Sequence, residues 1–132
     1  MIAADDDGGF GAPQRPAATL VHRKGAPVEI PEIDVDQLAE ALEGGANLID
    51  VREPDEWEAA RVPGVPLIPL GQVPDRVAEV PADGTCYVIC RSGGRSAKAC
   101  EILRAHGLDA VNVAGGTLAW IESGREVASG PA

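Results

Sequence analysis

No apolar run in this 132-residue chain approaches the ~20 residues needed to cross a bilayer, so a membrane span is not expected. The N-terminus lacks a basic segment followed by an apolar core, so no secretory signal is visible. Cysteine is scarce as well. Three of them do not make a disulfide scaffold, and a reducing, cytoplasmic setting is expected. Basic residues are outnumbered 11 to 21 by acidic ones, giving a formal charge of −10. An acidic surface repels phosphate backbones, which argues against nucleic-acid binding.

The chain length suits one domain with some residues to spare. Residues 1–27 hold Asp5-Asp6-Asp7, several glycines and prolines, and little apolar periodicity. Such a composition buries too little surface to offset its ordering entropy, so a disordered tail is expected there. A tail without function is the plainer reading, and a partner-binding tail the alternative. The folded domain is expected over residues 28–128.

Order is expected to begin with a short strand at Val28-Glu29-Ile30. Asp34 then caps a helix with apolar positions Val35, Leu38, Ala39 and Leu42, ended by Gly44-Gly45. Asn47 to Val51 reads as a buried strand, and Pro54 opens a second helix running to about Ala60. Pro63, Pro66 and Pro69 exclude a helix but allow an extended piece at Leu67-Ile68. Gln72 to Val80 reads as a short, weak helix and Asp83-Gly84 as a turn. Strands are expected at Thr85–Cys90 and Ala110–Val113, and helices at Ser96–His106 and Thr117–Ser123. A last strand or loose end includes Glu126-Val127. Alternating elements with continuous apolar strands predict an α/β fold: a mainly parallel sheet of about five strands, flanked by helices on both faces. Ligands in such folds sit beyond the C-terminal strand ends.

Cys90 lies at such an end. The run Cys90-Arg91-Ser92-Gly93-Gly94-Arg95-Ser96 carries a thiol into a glycine turn and then a helix. Gly93 and Gly94 let successive backbone N–H groups turn inward, and the helix adds its N-terminal partial charge. Arg91 and Arg95 add full charges, and each contribution favours thiolate over thiol. Four of the basic residues, Arg91, Arg95, Lys98 and Arg104, share one short window opposed only by Glu101, which points to a small anion or an acidic protein surface. Cys86, Cys90, Cys100 and His106 do not suggest a zinc site. Cys86 and Cys90 are ~13 Å apart if both lie on one strand, too far for one metal or one disulfide. Cys86 and Cys100 are expected in the core, and His106 as a helix C-terminal cap. Trp57 and Trp120 are also read as core residues.

These residues carry a resemblance. Leu48-Ile49-Asp50-Val51-Arg52-Glu53-Pro54-Asp55-Glu56-Trp57 forms the first matching piece, followed by Val62-Pro63-Gly64 and Ile68-Pro69-Leu70. With Cys90 to Ser96 and Gly115-Gly116-Thr117-Leu118-Ala119-Trp120, the stretch from about Ile30 to Trp120 resembles a rhodanese domain of the single-domain sulfurtransferase type. The resemblance implies that the Cys90 thiolate attacks the outer sulfur of thiosulfate or a similar anionic donor. A persulfide forms on Cys90, cradled by loop N–H groups, and passes its sulfur to a thiol, cyanide or protein acceptor. No cofactor and no metal is implied, and a monomer is expected.

Arg95 is expected to hold the loop or bind donor oxygens, and Arg91 to contact donor, partner or solvent. Ser92 and Ser96 are candidate hydrogen-bond donors to the persulfide or loop, and Ser96 is also a candidate helix cap. Asp50 and Arg52 are expected to form a structural pair bracing the loop. Where the family usually has histidine before the Val-Pro-Gly piece, this chain has Arg61, a position expected to support structure. Two alternatives stand beside sulfur transfer. One is a persulfide carrier or binding module for a dedicated protein partner. The other is phosphatase or arsenate-reductase chemistry, whose loops typically place five residues between cysteine and arginine, where this chain has only Arg91, Ser92, Gly93 and Gly94.

Overall fold

The computed structural model describes residues 30–131. Its elements in chain order are β1 (Glu32–Ile33), α1 (Val35–Glu43), β2 (Asn47–Asp50), α2 (Pro54–Ala59), two 3₁₀ helices (Leu70–Asp75 and Val77–Glu79), β3 (Thr85–Ile89), α3 (Gly94–Ala105), β4 (Asp109–Val113) and α4 (Gly116–Glu122). The four strands form one sheet in the order β1-β4-β3-β2, with every pairing parallel. The expected α/β architecture is present with four strands instead of about five.

The differences have local causes. The expected tail over residues 1–27 and the Val28-Glu29 part of the first strand lie outside the described residues. Ile30 is not in a strand, and pairing with β4 begins at Glu32. Leu67 makes only an isolated bridge to Asp50, because the surrounding prolines lack the N–H groups a ladder needs. Glu126-Val127 forms no strand, and Ala128 next to it bridges Arg61 instead. The expected helix over 72–80 is two 3₁₀ turns, with Pro74 inside the first removing a backbone donor.

Side-chain alternation along the strands sorts the core into two layers. Ile49, Cys86, Val88, Cys90 and Ala110 face α3 and the 3₁₀ turns, packing with Val73, Ala99, Cys100 and Leu103. Leu48, Ile89, Val111 and Val113 face the other way, packing with Val35, Leu38 and Trp120 of α1 and α4. The residue-by-residue switch of faces puts Cys90 on the α3 side. Trp120 is buried as expected, whereas Trp57 is only half-buried and packs on the edge of its cluster.

Helix starts follow their capping chemistry. Asp34 accepts from the Gln37 N–H at 2.8 Å while the Gln37 side chain accepts from the Asp34 N–H at 2.9 Å, a reciprocal box that opens α1. Glu56 accepts from the Glu53 N–H at 3.0 Å and helps open α2 behind Pro54. Cys86 and Cys100 are fully buried core residues, and His106 closes α3 with Nδ1 2.9 Å from the Ile102 carbonyl.

Arg61 has a structural task. Its guanidinium carbon lies 3.6 Å from the Trp57 ring centroid. Its Nη1 donates to the carbonyls of Trp57 at 3.0 Å and Gly130 at 2.7 Å. Backbone bonds join Arg61 and Ala128 in both directions, so the C-terminal segment is clasped against α2. Arg61→Ala removes a stacked cation and two charge-assisted bonds, and is expected to destabilise the fold by about 2 kcal/mol. Urea unfolding is the measurement, with a lower midpoint and an unchanged slope as the outcome.

Candidate active site

β3 ends at Ile89, and the next residue is Cys90, 1% exposed. Its Sγ accepts a hydrogen bond from the Gly93 N–H at 3.1 Å and lies 3.2 Å from Ser96 Oγ. Gly93 has φ of +117°, a conformation that side chains rarely adopt. This left-handed step turns the chain so that α3 starts at Gly94, two residues before the expected start at Ser96. The thiol therefore sits against the N-terminus of a 12-residue helix.

Burial opposes ionisation of Cys90. The Ser96 hydroxyl and the N–H groups of Ser96, Gly93 and Ser92 outweigh it and hold the thiol below its ordinary range. The other two thiols lack such donors, and burial pushes both Cys86 and Cys100 up to about 12. Among the described residues no group of three or more His, Cys, Asp or Glu side chains is placed to hold a metal ion.

The loop is held from three sides. From α4, the Thr117 N–H and hydroxyl both donate to the Cys90 carbonyl, at 2.8 and 3.0 Å, and the Leu118 N–H donates to the Arg91 carbonyl at 3.1 Å. Gly116 permits that approach, since a β-carbon there would lie 2.5 Å from the Arg91 oxygen. From α2, Glu56 grips Arg95 through two bonds of 2.7 and 2.8 Å. From β4, fully buried Asn112 donates to the Gly93 carbonyl at 3.1 Å and accepts from Ser96 Oγ.

The expected residues divide accordingly. Cys90, Gly93 and Ser96 meet at the sulfur, and Ser96 is not a helix cap: it lies inside the first turn, with Gly93 in the cap position. Arg95 braces the loop, its guanidinium taken up by Glu56. Arg91, Ser92 and Gly94 are exposed on the loop rim. Asp50 and Arg52 form a buried bidentate pair, and Arg52 also donates to the Ala60 carbonyl at 2.8 Å. That bond fastens the end of α2, which presents Glu56 to Arg95, so the pair supports the loop at one remove. The expected basic window is smaller than its sequence span. Arg104 bonds Asp109 and the Ala110 carbonyl at the N-terminal end of β4, the opposite end of the strands from Cys90.

Glu56, Asn112 and Thr117 join the site only through tertiary contacts that local sequence patterns do not reveal. Asn112 carried a readable signal, being the one polar residue in Ala110-Val111-Asn112-Val113. A cavity of about 350 Å³ lined by Leu42, Leu48, Pro63, Leu67 and Arg76 runs along edge strand β2, and Cys90 does not line it.

The hydrogen bond from Arg95 lowers the Glu56 pKa from 4.5 to about 2. A depressed carboxylate stabilises the fold above its unfolded value, and this contribution is lost as pH falls from about 4.5 towards 2. Both partners touch solvent, so the expected contribution is only about 1 kcal/mol. Glu56→Gln should lower stability at pH 7 by that amount and flatten the acid limb of the curve. Urea midpoints measured between pH 7 and 3 check it, and parallel curves for the two proteins would contradict it.

Residues 34–123, more than half the chain, match the family profile of the rhodanese-like domain. A Sulfurtransferase of Allochromatium vinosum is 35% identical over 96 residues, covering 70% of this chain and 90% of that protein. YrkF of Bacillus subtilis, named "Putative sulfur carrier protein", is 38% identical over 94 residues, which cover 69% of this chain. The chain spans about half of its length, 51%. The structure of a rhodanese-related protein from Thermoplasma volcanium superposes with a TM-score of 0.69 at 34% identity, over 73% of this chain and 95% of that one. Relatives with these names support a role in sulfur transfer. The cysteine-bearing loop, the parallel sheet and the match along the domain agree: the chain belongs to the rhodanese-like domain family.

Proposed function

We propose that this protein is a sulfurtransferase that carries a sulfane sulfur as a persulfide on Cys90. The observation behind this reading is the Cys90 sulfur held between the Gly93 N–H and the Ser96 hydroxyl at the start of α3. Donors around a thiol stabilise its anion, and the anion is the nucleophile. The thiolate electron pair attacks the outer sulfur of thiosulfate or a related donor. The donor S–S bond breaks, and its electrons leave with sulfite. An acceptor nucleophile then attacks the terminal sulfur, and Cys90 departs as thiolate, stabilised by the same donors. The rim N–H groups of Arg91, Ser92 and Gly94 offer further donors to the terminal sulfur. Exposed Arg91 draws an anionic donor to the loop.

The Arg95 contacts argue against phosphatase or arsenate-reductase chemistry. A guanidinium that binds a tetrahedral anion beside cysteine must face the sulfur, and this one is bonded to Glu56. Delivery to a protein acceptor has an observation in its favour. Leu118 is 37% exposed and lies beside the loop, its N–H bonded to the Arg91 carbonyl. An apolar side chain next to a rim arginine suits a protein surface. The proposed setting is a reducing compartment such as the cytoplasm, consistent with three unpaired buried cysteines.

Incubation with thiosulfate, desalting and intact-mass measurement test the proposal. The wild type should gain ~32 Da, one sulfur atom, and Cys90→Ser should gain none. No adduct on the wild type, or equal adducts on both proteins, removes the reading.

A further inference from the structure

Asn112 is a fully buried amide on the same sheet face as Cys90. Its contacts fix which way it points. Nδ2 lies 3.1 Å from the Gly93 carbonyl and 2.8 Å from the Glu32 carboxylate. Both partners only accept, so the amide nitrogen belongs there and Oδ1 is left facing Ser96 Oγ. The buried Ser96 hydroxyl also lies 3.2 Å from Cys90 Sγ. A hydroxyl has one proton to give, and here two acceptors compete for it whenever Cys90 is ionised.

With Cys90 protonated, S–H donates to Ser96 Oγ and the Ser96 O–H donates to Asn112 Oδ1. Every group in the row is satisfied. When Cys90 loses its proton to water, the Ser96 hydrogen turns to the sulfur, and Oδ1 is left without that donor in a buried place. An acceptor stranded in this way is costly.

We propose that Asn112 is a positioning residue that sets the ionisation of Cys90 through Ser96, holding the hydroxyl proton off the sulfur while Cys90 is a thiol. The inference rests on Cys90 being the sulfur-carrying nucleophile. Its consequence suits both half-reactions. Nucleophilicity falls as a thiol becomes more acidic, whereas leaving ability rises, and a counterweight to the loop donors keeps Cys90 between the extremes.

The charged groups around Cys90 do not replace this device. Arg95 of α3 is paired with Glu56 of α2, and Asp50 at the end of β2 and Arg52 just past it neutralise each other. Glu32 of β1 stands behind Asn112, and Arg91 is exposed on the rim. Cys100 of α3 stays protonated near neutrality, with its thiol up at about 12. α4 contributes Thr117, which bonds the Cys90 carbonyl and not the sulfur. Among the described residues the Ser96 hydroxyl bonds only Asn112 and Cys90.

The test is the pH dependence of Cys90 alkylation by iodoacetamide in four proteins: wild type, Asn112→Leu, Ser96→Ala and the double variant. Removing the amide also loosens Gly93, an effect present whether or not Ser96 is there. Comparing the two backgrounds cancels it. Asn112→Leu should lower the midpoint by about one pH unit more, a tenfold change in the thiolate-to-thiol ratio, when Ser96 is present than in the Ser96→Ala background. Equal shifts in the two backgrounds, or coupling of the opposite sign, overturn the proposal. Asn112→Ala repeats the comparison if the leucine variant does not fold. Thiosulfate loading of the wild type, followed by mass, separates the two ideas. Coupling without loading supports the Asn112 role and removes the sulfurtransferase reading; loading without coupling does the reverse.

Discussion

A sulfur atom buried at the end of a strand must either stay neutral or be given donors, and Cys90 is given donors. The left-handed Gly93 makes this possible, because it turns its own N–H onto the sulfur and starts α3 one residue later. Most of the surrounding structure serves to keep that turn in place. Thr117 holds the Cys90 carbonyl, Leu118 the Arg91 carbonyl and Asn112 the Gly93 carbonyl. With its carbonyls bonded outward, the loop has its N–H groups left for the sulfur, which is the polarity an anion needs.

Charge is used at a distance from the sulfur. Arg95, the natural candidate for an anion partner, is committed to Glu56, and Glu56 is itself the residue that helps open α2. Arg52 fastens the end of the same helix and is neutralised by Asp50. The chain of contacts from β2 through α2 to α3 therefore fixes the position of the loop without placing a bare cation on the Cys90 sulfur. Hydrogen bonds from neutral groups then lower the Cys90 pKa, aided by the helix terminus and opposed by burial. Such tuning is adjustable by single polar side chains, and Ser96 with Asn112 is the adjustable pair.

Arg61 shows how one departure from a family pattern is absorbed. A histidine is too short to reach two carbonyls and cover a ring at once. The guanidinium does all of this, joining Trp57 of α2 to Gly130 near the chain end. Its effect is on the packing of the C-terminal segment, away from the sulfur.

The sequence by itself determined the α/β alternation, the helix starts at Asp34 and Pro54, the strand that delivers Cys90 and the glycine turn after it. These rest on local rules: period, capping groups and the freedom of glycine. It also carried the family resemblance and the isolation of Cys90 from the other two cysteines. Tertiary structure decided which charges reach the site. Arg95 and Arg104 look alike in sequence, four and thirteen residues past Arg91, yet one clamps the loop through Glu56 and the other serves the opposite, N-terminal end of the strands. It decided as well that Asn112, 22 residues beyond Cys90, shares a hydroxyl with it. Neighbouring parallel strands bring such residues together only when the register is set, and no local pattern in the chain encodes which donor will meet which acceptor.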